Sequence, residues 1–554
     1  MSWPNIVHRG AGGYRALTLC AWLLLVPLLL PLVSLISLWS GTDMELWAHM
    51  VRHVLPFSIR DTVILTAGVA VAVALIGTLL AALTAFCEFP GRRLFQWAAV
   101  LPLAFPTYLS AYIYVELLDA SGPLQAWGRA GLSPDFRLPE IRSAGGAIAI
   151  FALVLFPYVY LPARVAFARQ SADFVEVART LGTGRFEAFW RINLPLARPA
   201  IAGGIALALM ETLSDIGAAE YLGVRTLAVT IYTTWLSRGS IAVAGQLAIL
   251  LLLLVIAILL AERAMRGRGT TVTAPRGNRQ MARIGLTGLP GALATAGCGL
   301  PILLGFVVPL RFLLHQAYSR SLLSTVSTAT TQAIASTFSL AAMAAGGVVI
   351  SATVLALWAR QSGKGPQRLA AGAASYGYAV PSVVLALCIV FPAGAIDNAL
   401  NRLVRDLFAV NPGLLLTMSG GVLVFAYWVR FQAVGFQLVD AGLRQVSTRL
   451  ELAGRSLGRH YYGTLRAITL PLITPSLLAA AALVFVDVIK ELPLTLLLRP
   501  IGIDTLATNL YGHASRGAFE DGAAEALLIA VTGLVSVAII LRTALSPAVQ
   551  DQGR

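Results

Sequence analysis

Twelve apolar runs, each near the length that crosses a bilayer, leave this chain little choice of architecture. A helix rises 1.5 Å per residue, so about 20 apolar residues traverse the hydrocarbon core. The runs fall at roughly 17–39, 61–87, 94–118, 146–168, 197–220 and 240–261, then at 292–314, 331–358, 369–391, 412–430, 473–498 and 523–541. Of 554 residues, 57% are hydrophobic and only 12% charged, whereas soluble domains carry about a quarter charged residues. The sequence predicts an all-α integral membrane protein of about 12 transmembrane helices, six per half. The expected boundaries are a first domain over 1–261, a linker over 262–291 and a second domain over 292–554. The run from Leu17 to Trp39 is too long for the apolar region of a signal peptide and reads as a retained span.

The formal charge is +15, from 41 Lys+Arg against 26 Asp+Glu. The basic residues gather in particular loops, so topology explains them better than nucleic acid does. With the N-terminus inside, inner segments hold basic residues over outer loops at about two to one, which predicts cytoplasmic N- and C-termini. Glu262 to Gly285 is basic and rich in Gly and Thr, as befits a cytoplasmic linker. Cys20, Cys87, Cys298 and Cys388 lie in or beside apolar runs without paired spacing, so packing residues are expected rather than a disulfide or metal site. His49 and His53 share one helical face. Asp43 and Glu45 are the nearest further ligands, and no metal site is expected there.

A charged, glycine-marked segment from Glu176 to Pro199 returns 276 positions later, from Leu452 to Pro475. Identities include Arg179/Arg455, Leu181/Leu457, Gly182/Gly458, Ile192/Ile468, Leu194/Leu470, Pro195/Pro471 and Pro199/Pro475. Further on, TLAVTIY (Thr226 to Tyr232) matches TLATNLY (Thr505 to Tyr511). Six spans return each half to the same side, so the duplication has parallel topology, as in transporters whose halves face a central pathway. Within the segment, Glu176 to Leu181 suits a short helix stopped at Gly182. Phe186, Phe189, Trp190 and Ile192 suit a second, which Leu194-Pro195 is expected to close. One such amphipathic hairpin could rest on lipid headgroups; two in equivalent positions point to a docking surface for a paired partner.

These residues resemble the "EAA" loop of ABC-transporter permeases that are fed by soluble binding proteins. The match is Glu176, Ala178, Arg179 and Gly182, then Ile192, Leu194 and Pro195. The second copy keeps Ala453, Arg455, Gly458, Ile468, Leu470 and Pro471, but Leu452 stands at the glutamate position with Glu451 one place early. The resemblance implies two fused permease domains in a bacterial inner membrane, with the loops docking two ABC ATPase subunits and a substrate-binding protein outside. No catalytic residue is expected in this chain. Its nearest string to a phosphate loop, Ser362-Gly363-Lys364-Gly365, lacks the leading glycine and the hydroxyl residue. ATP and Mg would therefore be bound by partner subunits.

Leu101 to Val115 and Phe485 to Tyr511 look like ferric-iron-type permeases, which makes ferric iron the expected cargo. Permeases for thiamine, sulfate, polyamines or phosphonates share the loop, and a gradient-driven secondary transporter is the competing class. The fifth span of each half carries acids: Glu211 and Asp215, then Asp487 and Glu491, with Lys490 between. Intramembrane acids usually face the bundle interior. The four could ring a cation pathway, bond neighbouring helices or transmit motion from the loops. Pro102, Pro106, Pro381 and Pro493 lie in or at the ends of spans, where proline kinks or stops a helix.

Overall fold

The computed structural model describes residues 11–34, 43–170, 184–266, 283–319, 327–361, 365–411 and 413–549. Among these the only strands are Cys87–Glu88 and Ile284–Gly285, paired in parallel. Among the described residues eleven helices are long and apolar enough to cross a bilayer, and a bent pair brings the number to 12. The chain is an all-α membrane protein, as its apolar runs require. Along the helix Leu55–Phe86, Val71, Leu75 and Leu79 recur one turn apart and stay exposed, the stripe a lipid-facing helix presents.

The third span of each half departs from the expected continuous run. Over 94–118 the chain instead forms Arg92–Ala104 and Thr107–Gly131, bent by 91°. Phe105 (φ −94°, ψ 127°) and Pro106 (φ −61°, ψ 149°) are both extended. The second half repeats the break: Val380 (φ −94°, ψ 128°) and Pro381 (φ −55°, ψ 140°) precede the helix Ser382–Phe408. The expected span 369–391 therefore gives way to one beginning at Ser382. The cause is local. A residue before proline is pushed out of helical geometry, and proline itself has no N–H to continue the ladder.

The fifth spans are also interrupted. Leu194–Ser214 and Leu470–Lys490, each 21 residues, stop at Asp215 (φ −82°, ψ 113°) and Glu491 (φ −74°, ψ 111°). The chain resumes as the short helices Gly217–Tyr221 and Pro493–Leu498, then Leu227–Leu236 and Leu506–Ser515. The expected runs 197–220 and 473–498 were each one apolar stretch in sequence, but each is broken at its acid.

Two compact units are formed, and neither is continuous in sequence. In one, the first span Ala11–Ser34 packs with the chain from Thr328 to Thr508, against the helices Thr328–Gln361 and Ser382–Phe408. Trp22 meets Trp358 edge-on with ring centroids 5.8 Å apart, and Ser34 Oγ donates to the Cys388 carbonyl at 2.5 Å. The other unit runs from Asp43 to Ser327 and adds the chain from Asn509. Here the opening span of the second half, Gly288–Ser319, packs on first-half helices. A π-turn at Leu303–Val307 accompanies a bond from Tyr114 Oη to the Leu304 carbonyl.

Within each unit, the second and fourth spans cross closely at equivalent points, but the small residue changes sides. In one, Gly77 of Leu55–Phe86 faces Val159 of Ala144–Ala168, where an added Cβ would lie 2.7 Å from the valine Cβ. In the other, Gly435 of Gly420–Gln445 faces Val348 and Ala352 of Thr328–Gln361. Close approach of this kind is how membrane helices gain packing energy without a hydrophobic drive.

Candidate coupling loops and the stitched helix breaks

The second coupling segment is described almost whole. It forms the helix Thr448–Ser456, then Gly458 in the left-handed region (φ 85°), then a helix from Tyr461 that continues into the span. The glycine stop was legible, because only glycine takes that conformation without cost. Gly454 is buried where the two helices cross; a Cβ there would lie 2.8 Å from Ile468 Cδ1. In the first copy, Glu176, Ala178, Arg179 and Gly182 fall outside the described residues, whereas Ile192, Leu194 and Pro195 fall within.

Leu194-Pro195 does not close a helix. The helices run unbroken over Phe186–Ser214 and Tyr461–Lys490. Before each proline lies one π-turn, Phe189–Asn193 and Leu465–Thr469, in which the Leu194 and Leu470 N–H groups donate to the Phe189 and Leu465 carbonyls. The wide turn absorbs one extra residue at the point where a proline has no N–H to give and its ring would crowd the preceding carbonyls. The expectation of a helix stop is corrected accordingly: the later helix of each repeated segment, from Phe186 and from Tyr461, is continuous with a fifth span.

The two segments are fastened to their bundles by different chemistry. In the first, Asn193 is buried and exchanges two hydrogen bonds with Gln170, Nδ2 to Oε1 at 2.7 Å and Gln170 Nε2 to its carbonyl at 2.9 Å. Phe189 packs with Phe86 and Phe167. In the second, Glu451 Oε1 accepts from Thr469 Oγ1 at 3.2 Å and lies 3.3 Å from Arg360 Nη2. Arg360 also donates to the Leu443 and Val446 carbonyls at the end of Gly420–Gln445. The displaced glutamate thus points into the bundle, and Leu452 and Leu457 are left exposed at 60% and 83%. Ala453, Gly458 and Pro471 are exposed, Ile468 and Leu470 half-buried, and Arg455 lies on the helix Thr448–Ser456. Sequence reasoning missed Gln170, Asn193, Arg360 and Thr469. A signal existed, since Asn193 and Thr469 are repeat-equivalent polar residues placed just before Leu-Pro.

At the far end of the same helices, each acid stitches two helix breaks together. Asp215 Oδ1 accepts from the Ala218 N–H at 2.8 Å, and its Oδ2 accepts from Thr107 Oγ1, the first residue after Pro106. Glu491 Oε1 accepts from the Leu494 N–H at 3.2 Å and from Ser382 Oγ, the first residue after Pro381, at 3.0 Å. Glu491 Oε2 lies 3.1 Å from Arg430 Nε, with both side chains buried. Glu211 and Asp487 stand one turn earlier and are half-buried. Lys490 Nζ is 4.0 Å from Asp487 Oδ1. Thr107, Ser382 and Arg430 were not anticipated.

A second pair of equivalent bonds fixes the repeated TLA helices. The Leu227 N–H donates to Thr62 Oγ1 and the Leu506 N–H to Thr337 Oγ1, both at 2.8 Å. For His49 and His53, the rings lie 5.1 Å apart, and among the described residues no group of three or more His, Cys, Asp or Glu could hold a metal.

Twin bundles with broken central spans and amphipathic helices feeding straight into them define a membrane transport permease. The chain matches, over residues 74–266 and 352–551, the family described as binding-protein-dependent transport system inner membrane component, and it belongs to that family. Each matched stretch contains one fifth span and its stitched acid. The Fe(3+)-transport system permease protein FbpB 2 of Haemophilus influenzae is 25% identical over 533 residues, covering 95% of this chain and 98% of the relative. A probable ABC transporter permease protein, y4fN of Sinorhizobium fredii, is 23% identical over 95% of both chains. A probable molybdenum ABC transporter permease of Haloferax volcanii is 30% identical over 245 residues, 43% of this chain and 87% of the relative. The chain thus carries two permease domains of this family in one polypeptide, and the relatives it matches are transport permeases.

Proposed function

We propose that this chain is the membrane subunit of an ATP-driven importer for ferric iron. The observation that carries the reading is the unbroken helix, Phe186–Ser214 and Tyr461–Lys490, that leads from the later half of each repeated segment to an acid-stitched break. A push delivered at Phe186 or Tyr461 reaches the break along one continuous helix. Two ATPase subunits, binding ATP and Mg, dock on the segments at the cytoplasmic face. Their closure tilts the fifth spans and exchanges outward for inward access, which requires two states of similar free energy biased by nucleotide and loaded binding protein. The binding protein docks outside, around residues 40–60, 119–146, 311–330 and 392–411. Ferric iron is supported by the full-length coverage of the ferric relative. The half-length molybdenum relatives favour an oxyanion as the second reading.

Reconstitution in vesicles with the partner ATPase and binding protein tests both. Ferric uptake that needs ATP and ignores a proton gradient is expected. Uptake of molybdate in place of iron, or uptake driven by a proton gradient alone, would overturn the assignment.

A further inference from the structure

The duplicated TLAVTIY and TLATNLY helices end in equivalent tyrosines, and the fold brings those tyrosines together. Tyr232 Oη and Tyr511 Oη are 3.5 Å apart, and Tyr511 Oη donates to Glu220 Oε2 at 2.7 Å. Glu220 sits on the five-residue helix Gly217–Tyr221 that follows the Asp215 break. All three residues lie within one compact unit, and all three are half-buried, neither sealed in a core nor on an open face. The repeat-equivalent of Glu220 is Leu496, so the carboxylate is supplied by the first half alone.

We propose that Tyr232, Tyr511 and Glu220 form a transient oxygen-donor subsite for a hard trivalent cation, resting on the ferric-iron reading above. Three considerations converge on it. Hard cations select oxygen ligands. A small octahedral cation with metal–oxygen bonds of about 2.0 Å needs neighbouring donors about 2.8 Å apart; Tyr511 Oη and Glu220 Oε2 already stand at 2.7 Å, and Tyr232 Oη has to close in from 3.5 Å. Two phenolates and one carboxylate carry three negative charges, which neutralise a trivalent ion where an uncompensated charge is costly. On coordination each phenol O–H bond breaks, the oxygen keeps the electron pair to bond iron, and the proton leaves to water. Iron stays ferric throughout, so no reductant is involved. An oxyanion such as molybdate or sulfate would instead meet a repelling carboxylate at this point.

The test uses the full chain purified in lipid nanodiscs and titrated with ferric nitrilotriacetate. Tyrosine coordination gives a phenolate-to-iron charge-transfer band in the visible. Tyr232→Phe and Tyr511→Phe should each weaken it, the double variant should abolish it, and Glu220→Gln should weaken ferric binding at least about tenfold. In vesicles with partner subunits, the double variant should slow ferric uptake by a similar factor while retaining ATPase docking. If the double variant does not purify, Glu220→Gln is read alone by the same titration. A missing band in the wild-type chain, or one that survives both phenylalanines, overturns the subsite. Uptake of iron at the wild-type rate by the double variant does so too. Failure of the ferric-iron reading shows differently: the wild-type assembly then imports no iron at all.

Discussion

Arg430 is the residue that most separates the two halves. Its repeat-equivalent is Val154, so the Asp215 stitch closes with hydroxyl and backbone donors named above, whereas the Glu491 stitch adds a buried guanidinium. Removing one member of a buried pair leaves the other charge uncompensated, which costs about 3–5 kcal/mol, while replacing both by apolar groups of similar volume is often neutral. Arg430→Met is therefore expected to lower the melting temperature in detergent sharply, and Arg430→Met with Glu491→Leu to restore most of it. An unchanged melting temperature for the single variant would remove the pair from any role in holding the break. The acids themselves were legible, because an offset of 276 laid Asp215 on Glu491. Their partners were not. Thr107 and Ser382 lie 108 and 109 positions from the acids they bind, and no local pattern encodes a contact at that distance. Once the fold is known, the shared proline–hydroxyl dipeptides Pro106-Thr107 and Pro381-Ser382 become recognisable.

At the scale of elements, the π-turns decide how docking segment and span are phased. Each carries one residue more than α-geometry would, and one residue turns a helix by about 100°. Deleting Arg191 or Ala467, both exposed, should convert the turn to α-geometry and rotate the docking face by about that angle, leaving the span intact. The expected result is a well-expressed permease that no longer retains its ATPase in a pull-down or supports uptake. Normal coupling in both deletions would show that the phase is immaterial. The sequence led to a helix stop here because proline rules describe α-geometry; the wider turn suspends them. The same rules succeeded at Pro106 and Pro381, where nothing widens the ladder.

At the scale of the whole molecule, the duplication and the number of spans could be read directly, since hydropathy and a fixed offset suffice for both. Which core each span joins could not, because one lipid-compatible run resembles another. The first span Ala11–Ser34 packs on the second half's helices, and Gly288–Ser319 packs on the first half's. Removing residues through Ser34 should therefore raise amide exchange in Thr328–Gln361 and Ser382–Phe408, not in Leu55–Phe86. Exchange rising first in Leu55–Phe86 would contradict that assignment.

This cross-assignment also places a clock on biosynthesis. Ala11–Ser34 enters the bilayer roughly 290 residues before its packing partners begin at Thr328. At translation speeds of about 5–20 residues per second, the newborn helix waits some 15–60 s as a lone cylinder in lipid. Over that interval it is held by its own backbone hydrogen bonds and the apolar side chains it turns to lipid, not by its final neighbours.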